Sequence, residues 1–239
     1  MRMPELALPR GVDLVVADSA QEVAGRLAAT VATELEQALA GRGRASLAVS
    51  GGATPRPFFE ALSRKALDWR RVDVLLADER WVDVRDDASN TRLVRAHLLQ
   101  HQAASANYVS LKQSGDSPEA GLAAVEAALA QVAWPLDMLI LGMGADGHTA
   151  SLFPDAPELP EALAPGGGRR ACAVHPPSHR QARVTLTLPV LVAARSVALH
   201  IRGEDKLDTL RAACEHPGDI ASMPVRAFLK PGLRIFWSP

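Results

Sequence analysis

Apolar and polar positions along the 239-residue chain follow two alternating periods. Short runs rich in aliphatic and β-branched residues occupy 12–17 (VDLVVA), 45–50 (ASLAVS), 72–77 (VDVLLA) and 137–142 (DMLILG). Similar runs at 171–174, 183–188, 196–202 and 233–237 predict further strands. Between them the spacing becomes helical. Val23, Leu27, Val31, Leu35 and Leu39 form one apolar stripe. Ser19 with Glu22 three residues on predicts a capping box at its start, and Gly41 is the predicted stop. Thr54-Pro55 predicts an N-cap followed by proline at the first helical position. A helix through TRLVRAHLL follows Ser89-Asn90, and Ser117-Pro118 opens another. Helices are also expected at 189–195, 204–214 and 223–229, and the Pro- and Gly-rich segment 154–168 reads as a surface loop.

Apolar strands alternating with helices predict an α/β fold: a mainly parallel, Rossmann-like three-layer sheet with helices on both faces. No repeat or linker interrupts the pattern, so residues 1–239 are read as a single α/β domain. Composition supports a folded chain, with 48% apolar and 22% charged residues, which excludes disorder, collagen and coiled coil. Lys plus Arg number 26 against 27 Asp plus Glu, so bulk charge gives no reason to bind nucleic acid or an anionic membrane. Any anion needs a local site. Cys172 and Cys214 cannot build a disulfide framework, and no Cys/His cluster suggests zinc. The N-terminal MRMPELALPR lacks the apolar run of a signal peptide, and no stretch approaches a membrane span. A cytoplasmic, reducing location is expected.

In parallel sheets ligands bind beyond the carboxyl ends of strands, so the segments following the apolar runs matter most. Three stand out. In Ser50-Gly51-Gly52-Ala53-Thr54-Pro55, two glycines let backbone N–H groups approach an anion, and two hydroxyls add donors. The alternative is a plain tight turn with a helix cap. In Asp78-Glu79-Arg80-Trp81, the carboxylates suit a base or sugar hydroxyls, and Arg80 suits an anion. The alternative is a surface turn with a local salt bridge. The third, Gly142 to Pro154, brackets Asp146 and His148 with glycines. Histidine is the side chain best suited to proton transfer near neutral pH, and Asp146 is placed to orient it. A capping aspartate beside a packed histidine is the competing reading.

Taken together, SGGATP, DERW, Ser89-Asn90, LILGMGADGHTASLFP, Arg183-Val184-Thr185 and Lys206 resemble the 6-phosphogluconolactonases, in order from about residue 45 to 230. The related glucosamine-6-phosphate deaminases and isomerases share the DGH string, but there it continues toward an acidic residue. Here Thr149 to Phe153 holds no carboxylate. The resemblance implies a carboxylic ester hydrolase acting on 6-phospho-D-glucono-1,5-lactone, in the second step of the oxidative pentose phosphate pathway, with no metal and no organic cofactor.

On this reading the partner is a small phosphorylated sugar lactone, with no nucleic acid or membrane, and the enzyme is a monomer or small homo-oligomer. No GxSxG elbow is present, so water attacks directly. His148 moves the proton, and Asp146, Asp78 and Arg80 are the other expected catalytic groups. Ser50, Gly51, Gly52 and Thr54 are expected at the 6-phosphate and Glu79 at sugar hydroxyls. The resemblance adds Arg183 and Lys206 as phosphate partners. Two readings compete: an amino-sugar-phosphate deaminase or isomerase, and a non-catalytic sugar-phosphate sensor. His97, His101, His175, His200 and His216 are expected to be surface or satisfied core residues. His179 reads the same way, or as a substrate contact near Arg183, and Asn90 as a helix cap.

Overall fold

The computed structural model of the chain describes residues 6–166 and 168–239. The signal-peptide reading bears in part on residues 1–5, and the surface-loop reading on Gly167, which lie outside the described residues. Among the described residues, ten strands follow in chain order: β1 (Asp13–Val16), β2 (Ala45–Val49), β3 (Val72–Leu76), β4 (Asp78–Arg80), β5 (Asn107–Val109), β6 (Met138–Leu141), β7 (Ala171–Val174), β8 (Arg183–Leu186), β9 (Ser196–Arg202) and β10 (Arg234–Ser238). Seven helices accompany them: α1 (Ala20–Arg42), α2 (Arg56–Ser63), α3 (Asn90–His97), α4 (Pro118–Leu129), α5 (Leu159–Leu163), α6 (Leu188–Val192) and α7 (Glu204–Glu215). None of the described helices is long and apolar enough to cross a membrane.

The main sheet has seven strands in the order β1-β10-β9-β6-β2-β3-β5, and every pairing is parallel. All residues of β2, β3 and β6 are buried, which accounts for their largely apolar runs, with Ser46 and Asp73 as the polar exceptions. From β2 the chain moves outward to β3 and β5. It then returns to β6 on the other side of β2 and proceeds outward to β9 and β10. The direction of winding therefore reverses between β2 and β6, and the loops leaving these two strands diverge and open a crevice. Helix α1 packs beside α2 and covers β2, β6 and β10. Ser19 caps α1 as expected, accepting from the Glu22 N–H at 3.2 Å. The helix runs past Gly41 and ends at Gly43, whose left-handed φ of 74° lets its N–H reach the Leu39 carbonyl.

A second sheet was not anticipated. Strands β4, β8 and β7 pair antiparallel. Ala77 joins the two sheets. Its N–H donates to Val49 of the main sheet, and its carbonyl accepts from Leu186 of the small one. The DER segment is thus a strand rather than a loop. Within the expected surface loop the chain forms α5, which buries Leu159 and Ala162. The expected helix at 223–229 is a 3-10 turn over Pro224–Phe228.

Candidate active site

The loops after β2 and β6 bound a cleft of about 210 Å³. Its walls carry Ser50, Gly51, Gly52 and Thr54 from the first loop and His148 from the second. Asp78 and Arg80 enter from β4, Arg183 from β8 and Lys206 from α7. Nine of the eleven side chains or glycines expected from the sequence thus meet at one place. Asp146 and Glu79 are not part of the wall.

The glycine loop owes its shape to a close approach. A Cβ on Gly51 would lie 1.9 Å from Asn90 Oδ1, so only glycine lets this side chain lie against the loop. Asn90 Nδ2 in turn donates to the Asp78 carbonyl at 3.1 Å. Thr54 does not cap α2, whose first residue follows Pro55, and its side chain belongs to the cleft instead. Ser89, not Asn90, is the cap of α3, accepting from the Arg92 N–H.

Strand β4 separates the three charges of DER. Glu79 is fully buried, contrary to its expected role at sugar hydroxyls. Its carboxylate accepts from the N–H groups of Asn90 (2.8 Å) and Thr91 (2.7 Å), from the Ser89 hydroxyl (3.2 Å) and from the Arg80 N–H (2.8 Å). A negative charge that binds the first N–H groups of α3 is a cap, not a ligand contact. Asp78 faces the cleft and accepts from the buried Ser151 hydroxyl at 2.5 Å, with Arg183 Nη1 at 3.9 Å. Arg80 stands opposite Arg183 in the β4–β8 register and donates to the Ala88 carbonyl. Burial works against the Arg183 charge, and Asp78 counters it.

In the loop after β6, Asp146 Oδ1 accepts from both the backbone N–H of His148 (3.1 Å) and its ring Nδ1 (2.6 Å). Desolvation pushes the Asp146 carboxyl up, but the His148 hydrogen bonds and charge outweigh it and hold it at about 2. The carboxylate is therefore ionised at neutral pH, which fixes the proton on Nδ1 and leaves Nε2 as the basic nitrogen. A Cβ on Gly144 would lie 2.1 Å from His148 Nδ1, so this glycine makes room for the ring. The Phe153 ring packs on His148, with centroids 4.1 Å apart, and Arg183 lies 4.9 Å from the same ring. His179 is exposed and outside the wall, edge-on to His148 at 6.0 Å.

Four polar side chains of the wall lie outside the set expected from the sequence: Asn90, Thr149, His200 and Arg202. His200 and Arg202 sit at the carboxyl end of β9, where the same rule that flagged the earlier loops applies. His200 was expected on the surface or as a satisfied core residue. Instead it is 6% exposed with Nδ1 unpartnered. Ser50 Oγ, Arg80 Nε and Arg183 Nε are likewise buried without a protein partner. Such atoms cost about 1–3 kcal/mol each, and their concentration around one cleft marks it as the place where a polar ligand is bound. Among the described residues, no group of three His, Cys, Asp or Glu side chains is placed to hold a metal ion.

A family model described as glucosamine-6-phosphate isomerases/6-phosphogluconolactonase matches residues 18–237. The chain is 48% identical over 239 residues to a 6-phosphogluconolactonase of Pseudomonas aeruginosa, covering all of both chains. It is 42% identical over 239 residues to that of Pseudomonas putida, covering 100% of this chain and 98% of the relative. The crystal structure of a 6-phosphogluconolactonase from Shewanella baltica superposes with a TM-score of 0.93 at 39% identity, covering 98% of this chain and 100% of that one.

Proposed function

Because the chain belongs to the glucosamine-6-phosphate isomerase/6-phosphogluconolactonase family, we propose that it is a carboxylic ester hydrolase that opens 6-phospho-D-glucono-1,5-lactone to 6-phospho-D-gluconate. The observation that carries this reading is the meeting of the Gly51-Gly52 loop and His148 on one cleft at the reversal between β2 and β6. A sugar phosphate has an anion at one end and a reactive carbonyl at the other, and the cleft offers a matching pair of groups. The Phe153 ring against His148 supports the lactonase over the amino-sugar-phosphate enzymes, since this side of the imidazole carries no carboxylate.

In the proposed mechanism His148 Nε2 takes a proton from water as the oxygen attacks C1, then returns it to the departing ring oxygen. Asp146 holds the ring in the tautomer this requires. The negative charge developing on the carbonyl oxygen needs fixed donors. Arg183 shares the Phe153 ring with His148, which favours it for that task, with Arg80 beside it. This shifts Arg183 away from the phosphate, where the resemblance had placed it. Lys206 and the amides of Gly51 and Gly52 then take the phosphate. Two free cysteines, Cys172 and Cys214, suit a reducing cytoplasmic compartment.

The direct test is turnover of freshly generated phosphogluconolactone, corrected for spontaneous hydrolysis. The wild type accelerates it, and His148→Ala lowers kcat about 10²–10⁴-fold with little change in KM. A His148→Ala enzyme with wild-type kcat removes the imidazole from the mechanism.

A further inference from the structure

His200 is a buried titratable side chain of the cleft that the mechanism leaves unused. It lies on β9 opposite Phe236 of β10, two residues beyond the Ala198–Ile140 pair with β6. Its ring meets Phe58 of α2 edge-on at 6.1 Å, which places it beside the helix that follows the glycine loop. The residue lines the cleft, yet Nδ1 is sealed from solvent and has no partner. A bare acceptor is less costly to seal than a bare N–H, which puts the ring proton on Nε2 and makes His200 a donor. Burial lowers its pKa to about 4, so the imidazole is neutral at physiological pH. The charged and titratable side chains that share the cleft are Arg202 and Lys206 on its own strand and the next helix, Asp78, Arg80 and Arg183 of the small sheet, and His148. The neighbours on β10 and α2, Phe236 and Phe58, are neither charged nor titratable.

We propose that His200 is a binding residue at the anion end of the cleft, donating a hydrogen bond to the phosphoryl group beside the Gly51-Gly52 loop and Lys206. The proposal rests on the reading of the cleft as a sugar-phosphate site. It makes a prediction that simple packing does not. A leucine at 200 removes an orphaned buried nitrogen, so the free protein becomes more stable while the bound anion loses a donor.

The experiment compares wild type, His200→Leu and His200→Gln by three readouts. These are the thermal midpoint without ligand, calorimetric affinities for inorganic phosphate and 6-phosphogluconate, and lactone kinetics. His200→Leu is expected to raise the midpoint and to weaken both anions about tenfold or more, the scale of one hydrogen bond to a charged group. KM rises by more than kcat falls. His200→Gln keeps a donor and retains more of the affinity. If leucine does not fold, His200→Met serves as the apolar variant. Wild-type anion affinity in the apolar variant, or equal losses in the apolar and Gln variants, overturns the proposal. A wild type that binds both anions without hydrolysing the lactone overturns the lactonase reading alone. A wild type that binds neither anion overturns both.

Discussion

At the scale of residues, the cleft separates charges that look alike in sequence. Asp78, Glu79 and Arg80 are consecutive, yet the alternation of β4 sends Asp78 and Arg80 to the cleft and Glu79 into the interior. Glu79→Gln is therefore expected to lower stability by about 1–3 kcal/mol, because a buried acceptor of four donors is weakened. Denaturant unfolding reads this. An unchanged midpoint with a raised KM would return Glu79 to the binding site. The two cations assigned to opposite ends of the substrate separate in kinetics. Arg183→Lys should lower kcat, since a lysine cannot reproduce the guanidinium fork, whereas Lys206→Ala should mainly raise KM. The reverse pattern would exchange their assignments.

At the scale of elements, what the sequence discloses depends on whether the stabilising contacts are local. Strands β2, β3 and β6 and the glycine loops were legible because their signals are contiguous: an apolar run, then glycine and a helix start. The DER strand was not, because its pairing partners are Arg183, Val184 and Thr185, about a hundred residues further along. Strand β5 is only three residues long, too short for a period to register. The end of α1 was missed by two residues because Gly41 and Gly43 both fit the pattern. Arg42 pairs with Asp137, and this distant tether carries the helix beyond the first glycine. His200 is not legible as a cleft residue, because a polar residue in an apolar strand gives no sign of whether its face meets core or cleft. The glycine loop itself offers a test at this scale. Gly51→Ala forces a Cβ into Asn90, which must give way or move the loop. The expected result is a KM raised tenfold or more with a smaller change in kcat, and about 1–3 kcal/mol less stability. An alanine variant with wild-type KM would mean that the loop does not contact substrate.

At the scale of the whole molecule, the reversal of winding between β2 and β6 brings a glycine loop from residue 51 and an imidazole from residue 148 to the same crevice. The same burial that shapes the cleft also shapes acid stability. His200 titrates at about 4 in the fold against an ordinary 6.5, so the unfolded chain binds the extra proton first. Its neutral form contributes fully above about pH 6.5, and stability declines as pH falls from there to about 4. Asp146 acts lower down. With its carboxyl held at about 2 against an ordinary 3.8, its contribution is complete above that ordinary value and is lost as pH falls through about 2. Urea midpoints between pH 7 and pH 4 should therefore drop for the wild type and drop less for His200→Leu. Parallel slopes would deny His200 this part.

One ligand must touch both loops with its two ends, and a crystal structure with 6-phosphogluconate bound tests that most directly. The prediction is a phosphoryl group within hydrogen-bond reach of the Gly51 and Gly52 amides, with the C1 carboxylate beside His148 Nε2. A phosphoryl group lodged against His148, or a ligand bound outside this cleft, would contradict it.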